Sequence, residues 1–328
     1  MQLKIGSFNV YNLVRAGEPY YHKPPYSASE FGQKADWIAG QLQRMDAHIV
    51  GFQEVFHEDA LVEVTGRSGR YDGGTVIAPG ADGEGPRVGL ATSLTLTGTP
   101  EVIEAFPDGF SVSYNQVTVD SFERPVLKAT MDLDDTNTIT VFVAHLKSKR
   151  PKIHDGEDEH DFKTQARGKA RSLIIRAAEA SALRAILVDE LQGNRKPVVV
   201  IGDLNDSHYA VTTEIVTGTP PWRFLQPDRK REIWDVLLYD TNQIQARQSL
   251  RDVTYSYIYN GVYQTLDHIF VSEQLYRFNP NHIGEVEYLH FLNDHIVDTT
   301  LTSGDGGRTE SDHGQVVATI RLLEQADR

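Results

Sequence analysis

No cysteine occurs anywhere in this 328-residue chain. A disulfide framework and a thiolate zinc site are therefore both excluded. A reducing compartment fits, although many bacterial secreted proteins also lack cysteine. Long apolar runs are missing too, and none approaches the length of a membrane span. The N-terminus carries no charged region followed by an apolar stretch, since Met1-Gln2-Leu3-Lys4 leads straight into Ile5-Gly6-Ser7-Phe8. The expectation is a cytoplasmic protein, or an extracellular one if a leader has been removed. Positive charge is in deficit: the net charge is −14 and the pI about 5.3. That balance argues against tight non-specific binding to nucleic acid, yet local patches and a bound cation decide what a phosphate meets. Repeats and linker-like stretches are absent, so one domain spanning residues 1–328 is expected.

What is present is a set of polar groups, each at the end of a short run rich in β-branched residues. Asn9 closes the first run, Gln53-Glu54 the second and His145 the third. Gly202-Asp203-Leu204-Asn205-Asp206 closes the fourth, and Ser311-Asp312-His313-Gly314 precedes a last one. Each run reads as a buried strand. Between them, Ser27-Ala28-Ser29-Glu30 fits a capping box before a helix with Phe31, Ala35, Ile38, Leu42 and Met45 at helical spacing. Residues 165–191 carry the longest helical pattern, with Ala166, Ala170, Leu173 and Ala177 on one face. Further strands are expected at 88–92, 112–119, 126–133, 254–259, 266–271, 286–291 and 315–320, and loops at 11–26, 80–85, 154–161 and 303–310. Strands dominate without strict alternation with helices, which predicts α/β layers with mixed sheets.

Each polar group has an ordinary alternative reading, and each has a chemical one. A carboxylate such as Glu54 at the mouth of a buried strand is a hard oxygen ligand suited to Mg²⁺ or Mn²⁺. His145 can donate to a phosphoryl oxygen, with Lys147, Lys149, Arg150 and Lys152 adding positive potential. Gly202 permits a close backbone approach. Asp203 can accept a proton or bind metal, and Asn205 can hold a water or a phosphate oxygen. Asp267 can fix the tautomer of an imidazole, while His268 beside it reads as a structural neighbour. Asp312 is a candidate metal ligand, and His313 titrates near neutrality.

In this order and spacing these residues resemble the endonuclease/exonuclease/phosphatase superfamily, which includes pancreatic-type deoxyribonuclease and the exonuclease III-like repair endonucleases. The resemblance runs from Phe8-Asn9 to Ser311-Asp312-His313. It implies a four-layer α/β sandwich of two packed mixed β-sheets flanked by helices. It implies Glu54 as principal Mg²⁺ ligand, helped by Asn9 and Asp312, with Mn²⁺ as a substitute. It places His145 on the scissile phosphate, Asp203 and Asn205 on the attacking water or the phosphate, and His313 paired with Asp267. Family members differ over whether the aspartate or the histidine takes the water's proton, and both remain candidates. The chain departs from the family where Gly314-Gln315 follows His313 in place of Asp-Pro. A further family tyrosine and acid or arginine have Tyr71, Glu84, Arg87 and Tyr114 as candidates.

The substrate expected is nucleic acid, with DNA first and RNA second. The basic run 147–152, the cations Arg167, Lys169 and Arg171, and a tyrosine-rich segment at 255–263 motivate this. Inositol, lipid (sphingomyelinase-like) or other small phosphate esters are the alternative, since acidic bulk charge suits them. A non-catalytic relative of the fold is the third reading.

Overall fold

The computed structural model describes residues 1–323 other than 22, 115, 116, 135, 299 and 301–306. In chain order the elements are β1 (Gln2–Leu13), α1 (Ala28–Met45), β2 (Ile49–His57), α2 (Glu58–Ser68), β3 (Thr75–Ile77), β4 (Asp82–Thr92), β5 (Glu101–Ala105), β6 (Val112–Tyr114), β7 (Val117–Val119), β8 (Ser121–Asp132), β9 (Thr138–His145) and α3 (Phe162–Leu191). They continue with β10 (Val198–Asp203), α4 (Val211–Thr217), α5 (Pro227–Asp235), β11 (Leu238–Asp240), α6 (Thr241–Gln248), β12 (Tyr257–Tyr259), β13 (Val262–Gln264), β14 (Asp267–Ser272), β15 (Gly284–Leu292) and β16 (Gln315–Leu322).

Two six-stranded mixed sheets carry the fold, in the orders β15-β16-β1-β2-β4-β3 and β11-β14-β10-β9-β8-β5. Each holds one central parallel pair, β1 with β2 and β9 with β10, flanked by antiparallel neighbours. The sheets pack face to face, β1 against β10 and β14. Because successive side chains on a strand point to opposite faces, each strand splits its residues between two layers. Leu3, Ile5, Ile49, Val141, Val143, Val199, Ile201, Ile269 and Val316 fill the space between the sheets. Phe8, Val50, Phe52 and Val317 face α1 and α2. Phe142, Val198, Val200 and Phe270 face α3 and α4. The layers therefore run helix, sheet, sheet, helix.

The capping box at Ser27 forms: its hydroxyl accepts from the Glu30 N–H, and the Glu30 carboxylate accepts from the Ser27 N–H. Other expectations change. Residues 112–119 form a hairpin rather than one strand. Residues 82–85 belong to β4 rather than to a loop, and the strand expected at 254–259 shortens to β12. Of the loop expected at 303–310, residues 303–306 lie outside the described residues. The face chosen for α3 is wrong: Ala166, Ala170 and Leu173 are exposed, while Ile175, Arg176, Ala178, Glu179, Leu183 and Leu187 are buried. The buried face mixes charge with apolar groups because Arg176 donates to the Lys147 carbonyl and Glu179 accepts from the Glu123 and Lys147 N–H groups. An apolar periodicity does not register a helix face that serves a polar network.

Gly51 marks a close approach of the two sheets. A Cβ there would stand 2.8 Å from Ile201 Cγ2 and 3.0 Å from Val143 Cγ1. Gly51→Ala should destabilise the fold by about 1–3 kcal/mol through overpacking. A thermal midpoint equal to that of the wild type would contradict so tight an approach.

Candidate active site

The inward-facing rows of both sheets end in polar side chains at one common edge. Along β1 the row Leu3, Ile5, Ser7 reaches Asn9. Along β9 the row Val141, Val143 reaches His145, and along β10 Val199 and Ile201 lead to Asp203. Asp267 opens the inward row of β14. All four are buried, at 0%, 2%, 1% and 1% exposure respectively. Asp203 and His145 sit side by side in register. Gly202 permits this not by turning the chain but by close approach, since a Cβ there would fall 2.0 Å from the Ala144 carbonyl oxygen.

Glu54 breaks the pattern. Simple alternation from Val50 and Phe52 would turn it toward the helices. Instead β2 shifts register between Phe52 and Val55, and Glu54 adopts φ 64°. A bulge of this kind re-aims a side chain. β1 shifts register alongside, between Asn9 and Leu13, with Tyr11 at φ 49° and Asn12 at φ 55°. Non-glycine residues in this region cost of order 1–3 kcal/mol each and gather at functional sites. Here the distortion brings the Asn12 N–H to 2.9 Å from Glu54 Oε2 and Asn9 Nδ2 to 3.5 Å from Glu54 Oε1.

A chain of short contacts links the remaining groups. Asn9 Nδ2 also donates to Asp203 Oδ2 at 3.1 Å, while its own oxygen accepts from the Tyr11 N–H at 3.0 Å. Asp203 Oδ2 lies 3.5 Å from His145 Nε2 and 3.9 Å from His313 Nε2. His313 Nδ1 meets Asp267 Oδ2 at 2.7 Å. Asn205, at φ 55°, donates its backbone N–H to Asp203 Oδ1 at 2.8 Å and its Nδ2 to the Leu146 carbonyl at 3.0 Å. Ser311 ties the C-terminal motif to the first strand, donating to the Asn9 carbonyl at 2.6 Å and accepting from the His313 N–H. Tyr257 packs against the His313 ring with centroids 4.8 Å apart.

Burial sets the titration of these groups. It raises Asp203 to about 7, and the Asp267 charge adds to this while His313 opposes it. Burial also raises Glu54, reinforced by the like charge of Asp312. It depresses His145 well below the ordinary histidine value, helped by Arg124, His313 and Lys147. For His313 burial works against the charged form, but the carboxylates of Asp267, Asp203 and Asp312 outweigh it and hold the imidazole well above its usual value.

The basic run is less free than its sequence implies. Lys147 and Lys152 both pair with Glu123, and Lys149 reaches Asp206 at 3.4 Å and Gln264 at 2.8 Å. Arg150 is exposed, its carbonyl accepting from Ser172. Arg171 is clamped by Glu157 at 2.5 Å, so the acidic loop serves as its counter-charge, and Asp161 caps α3. Tyr71 lies in the core with its hydroxyl on the Ala47 carbonyl, and Arg87 reaches the Gly80 carbonyl. Arg124 and Lys34 had no sequence signal. Arg124 binds the carbonyls of His145 and Leu146. Lys34 is fully buried, which lowers it to about 7 against the pull of Asp312 and Glu54.

Fold and site together define a class: a two-sheet sandwich whose strand ends deliver carboxylates, amides and imidazoles to one edge. The chain belongs to the endonuclease/exonuclease/phosphatase family, whose model matches residues 6–313. No curated protein sequence matches it at a significant level. Among solved structures, an endonuclease/exonuclease/phosphatase family protein from Bacteroides thetaiotaomicron is similar at TM-score 0.55 and 17% identity, covering 99% of each chain. D. rerio TDP2 complexed with a single-strand DNA product is similar at TM-score 0.56 and 16% identity, over 98% of this chain and 99% of that one. The human nocturnin catalytic domain with bound sulfate follows at TM-score 0.54 and 15% identity, over 98% and 95%.

The His313–Asp267 pair makes a directional prediction. In metal-free protein, NMR titration should place His313 above the ordinary histidine value of about 6.5, and Asp267→Asn should lower it. A raised histidine contributes stability in full below its unfolded value, and the contribution is lost as pH rises through its folded value. The stability gap between wild type and Asp267→Asn should therefore narrow at alkaline pH. A gap that widens with pH would contradict the assignment.

Proposed function

We propose that this chain is a divalent-cation-dependent phosphodiesterase that hydrolyses DNA, with RNA as a further substrate. The observation that carries the reading is the arrangement at the strand ends. Asp203 stands within 3.9 Å of both imidazoles and is held by Asn9, which also faces Glu54.

The donor set suits a hard cation. Glu54 and Asp312 present carboxylate oxygens whose like charges oppose one another, and a small divalent ion relieves that repulsion. Asp203, Asp267 and His313 also bring one donor atom each within 4.8 Å of one another. However, the 2.7 Å hydrogen bond already occupies His313 Nδ1 and an Asp267 oxygen, so this trio suits proton transfer better. When bound at Glu54 and Asp312, Mg²⁺, or Mn²⁺ in its place, supplies polarisation of a phosphoryl oxygen and stabilisation of the leaving alkoxide. Asn9, with its nitrogen on both carboxylates, orients the ligand rather than offering an oxygen.

The chain's own groups supply the rest. Asp203, poised near neutrality, takes the proton of an attacking water. Asn205 fixes Asp203 through its backbone N–H. With its Nδ2 committed to Leu146, it has an acceptor oxygen to offer, which suits the water better than a phosphoryl oxygen. His313, kept protonated by Asp267, stabilises negative charge developing on the phosphate, and His145 donates from a neutral ring.

Nucleic acid is favoured over small esters by two observations. The rings of Tyr257 and Tyr259 lie nearly parallel, 6.5 Å apart, and Tyr257 borders His313, so exposed Tyr259 offers a stacking surface beside the site. The similar TDP2 structure holds single-strand DNA. Tyr255 packs on Tyr263.

Nicking of supercoiled plasmid in Mg²⁺ tests the proposal. Chelation should abolish it, and Glu54→Gln, Asp203→Asn and His313→Ala should each lower the rate by about 10²–10⁴-fold without loss of fold. If no divalent ion supports nicking while inositol phosphates, sphingomyelin or bis(nitrophenyl) phosphate turn over, the small-ester alternative replaces it. Full activity in Asp203→Asn would sink the assigned chemistry.

A further inference from the structure

One buried side chain joins the two segments that carry Glu54 and Asp312. Lys34 lies on α1 at 0% exposure. The residues beside it on the buried face of that helix, Phe31, Ala35, Ile38 and Leu42, are apolar and belong to the core between helix and sheet. A methionine, unbranched and flexible, would fill the same space. A polar head taken out of water is costly unless it is bonded. Lys34 Nζ donates to the Tyr11 carbonyl at 2.9 Å and to the Arg308 carbonyl at 3.2 Å.

The first carbonyl leads to Glu54. The Tyr11 C=O and the Asn12 N–H belong to one planar peptide unit and point in opposite directions. Lys34 holds that unit at its oxygen, and on the other side its N–H donates to Glu54 Oε2 at 2.9 Å. Tyr11 at φ 49° and Asn12 at φ 55° keep the unit in a left-handed conformation, which persists only where the surroundings over-determine it. The second carbonyl leads to Asp312, four residues after Arg308. It also accepts from the Tyr26 hydroxyl at 3.2 Å. The Arg308 guanidinium lies over the Tyr26 ring and donates to Glu30 Oε1 at 2.8 Å and to the carbonyls of Pro24 at 2.6 Å and Pro25 at 3.0 Å. Residues 308–312 are thus fastened to α1 at Arg308 and to β1 at Ser311.

We propose that Lys34, anchored through Arg308, is a positioning residue that sets the spacing of Glu54 and Asp312 and with it the affinity for a divalent cation. This rests on the reading that those two carboxylates hold the ion. Charge alone would act in the opposite sense. Asp312 and Glu54 both draw on Lys34, so a positive head there repels a second cation, and its removal would tighten the ion. Removal of a group that holds the ligands in place loosens it. The geometry predicts that the lost support prevails.

Mn²⁺ titration of chelator-stripped protein, followed by electron paramagnetic resonance, tests this, with circular dichroism as the check on folding. Glu54→Gln should weaken Mn²⁺ binding, and unchanged binding there would remove the underlying reading of the site. Lys34→Met should weaken it by about tenfold or more. In metal-free Lys34→Met the Asn12 amide should exchange with solvent deuterium about tenfold faster or more. Equal or tighter Mn²⁺ binding in Lys34→Met beside weakened binding in Glu54→Gln, or an Asn12 amide as protected as in the wild type, would overturn the positioning role alone. Should Lys34→Met fail to fold, the half-buried anchor decides: Arg308→Met should weaken Mn²⁺ binding in the same direction, and unchanged binding would overturn the proposal.

Discussion

Two sheets pressed together along their inward faces set what this molecule can do. Their contact is close enough at Gly51 that a single methyl group would strike Ile201 and Val143. Residues of the inward rows are therefore either apolar and interlocked or, at one edge, polar and convergent. Asn9, His145, Asp203 and Asp267 come from four strands far apart in the sequence, yet each simply occupies the inward position at the site end of its strand's row. The core and the site are one structure read at two heights.

That placement has an energetic consequence. Carboxylates taken out of water resist ionisation, and Asp203 and Glu54 both do so here. The protein compensates unevenly. Asp267 is answered by His313 at 2.7 Å, whereas the like charge of Asp312 adds to the burial that raises Glu54, and buried Lys34, which feels both, is itself pushed toward neutrality. That unanswered like charge is where the proposed cation would bind, apart from the groups proposed to move protons. Backbone strain at Tyr11, Asn12, Glu54 and Asn205 marks the same spot, and the packed sheets on either side hold it in place.

Much of this was legible in the residues. Strand-end polar groups could be found because a β-branched run ends abruptly in Asn, Glu, His or Asp, and alternation then puts the last inward residue at the mouth. The capping box at Ser27 was equally plain. Glu54 was found for an incomplete reason, since only the register shift in β2 turns it to the site. The buried face of α3 was missed because Arg176 and Glu179 carry it, and short elements such as β3, β5, β11 and β13 have too few residues to show a period. The basic run and the cations of α3 looked like a free patch because sequence does not show that Glu123 and Asp206 answer the run, and Glu157 answers Arg171, from elsewhere. Nothing local announced Arg124 or Lys34, whose roles lie in backbone carbonyls brought to them by the fold.

The central claim is that a hard divalent ion sits at Glu54 and Asp312 while Asp203, Asp267 and His313 stay free to move protons. Anomalous diffraction from crystals soaked in Mn²⁺ locates the ion directly. The account predicts the strongest peak beside the Glu54 carboxylate, within coordination distance of Asp312 and clear of the His313–Asp267 hydrogen bond. A strongest peak between Asp203, Asp267 and His313, or no peak at the strand ends at all, would contradict it.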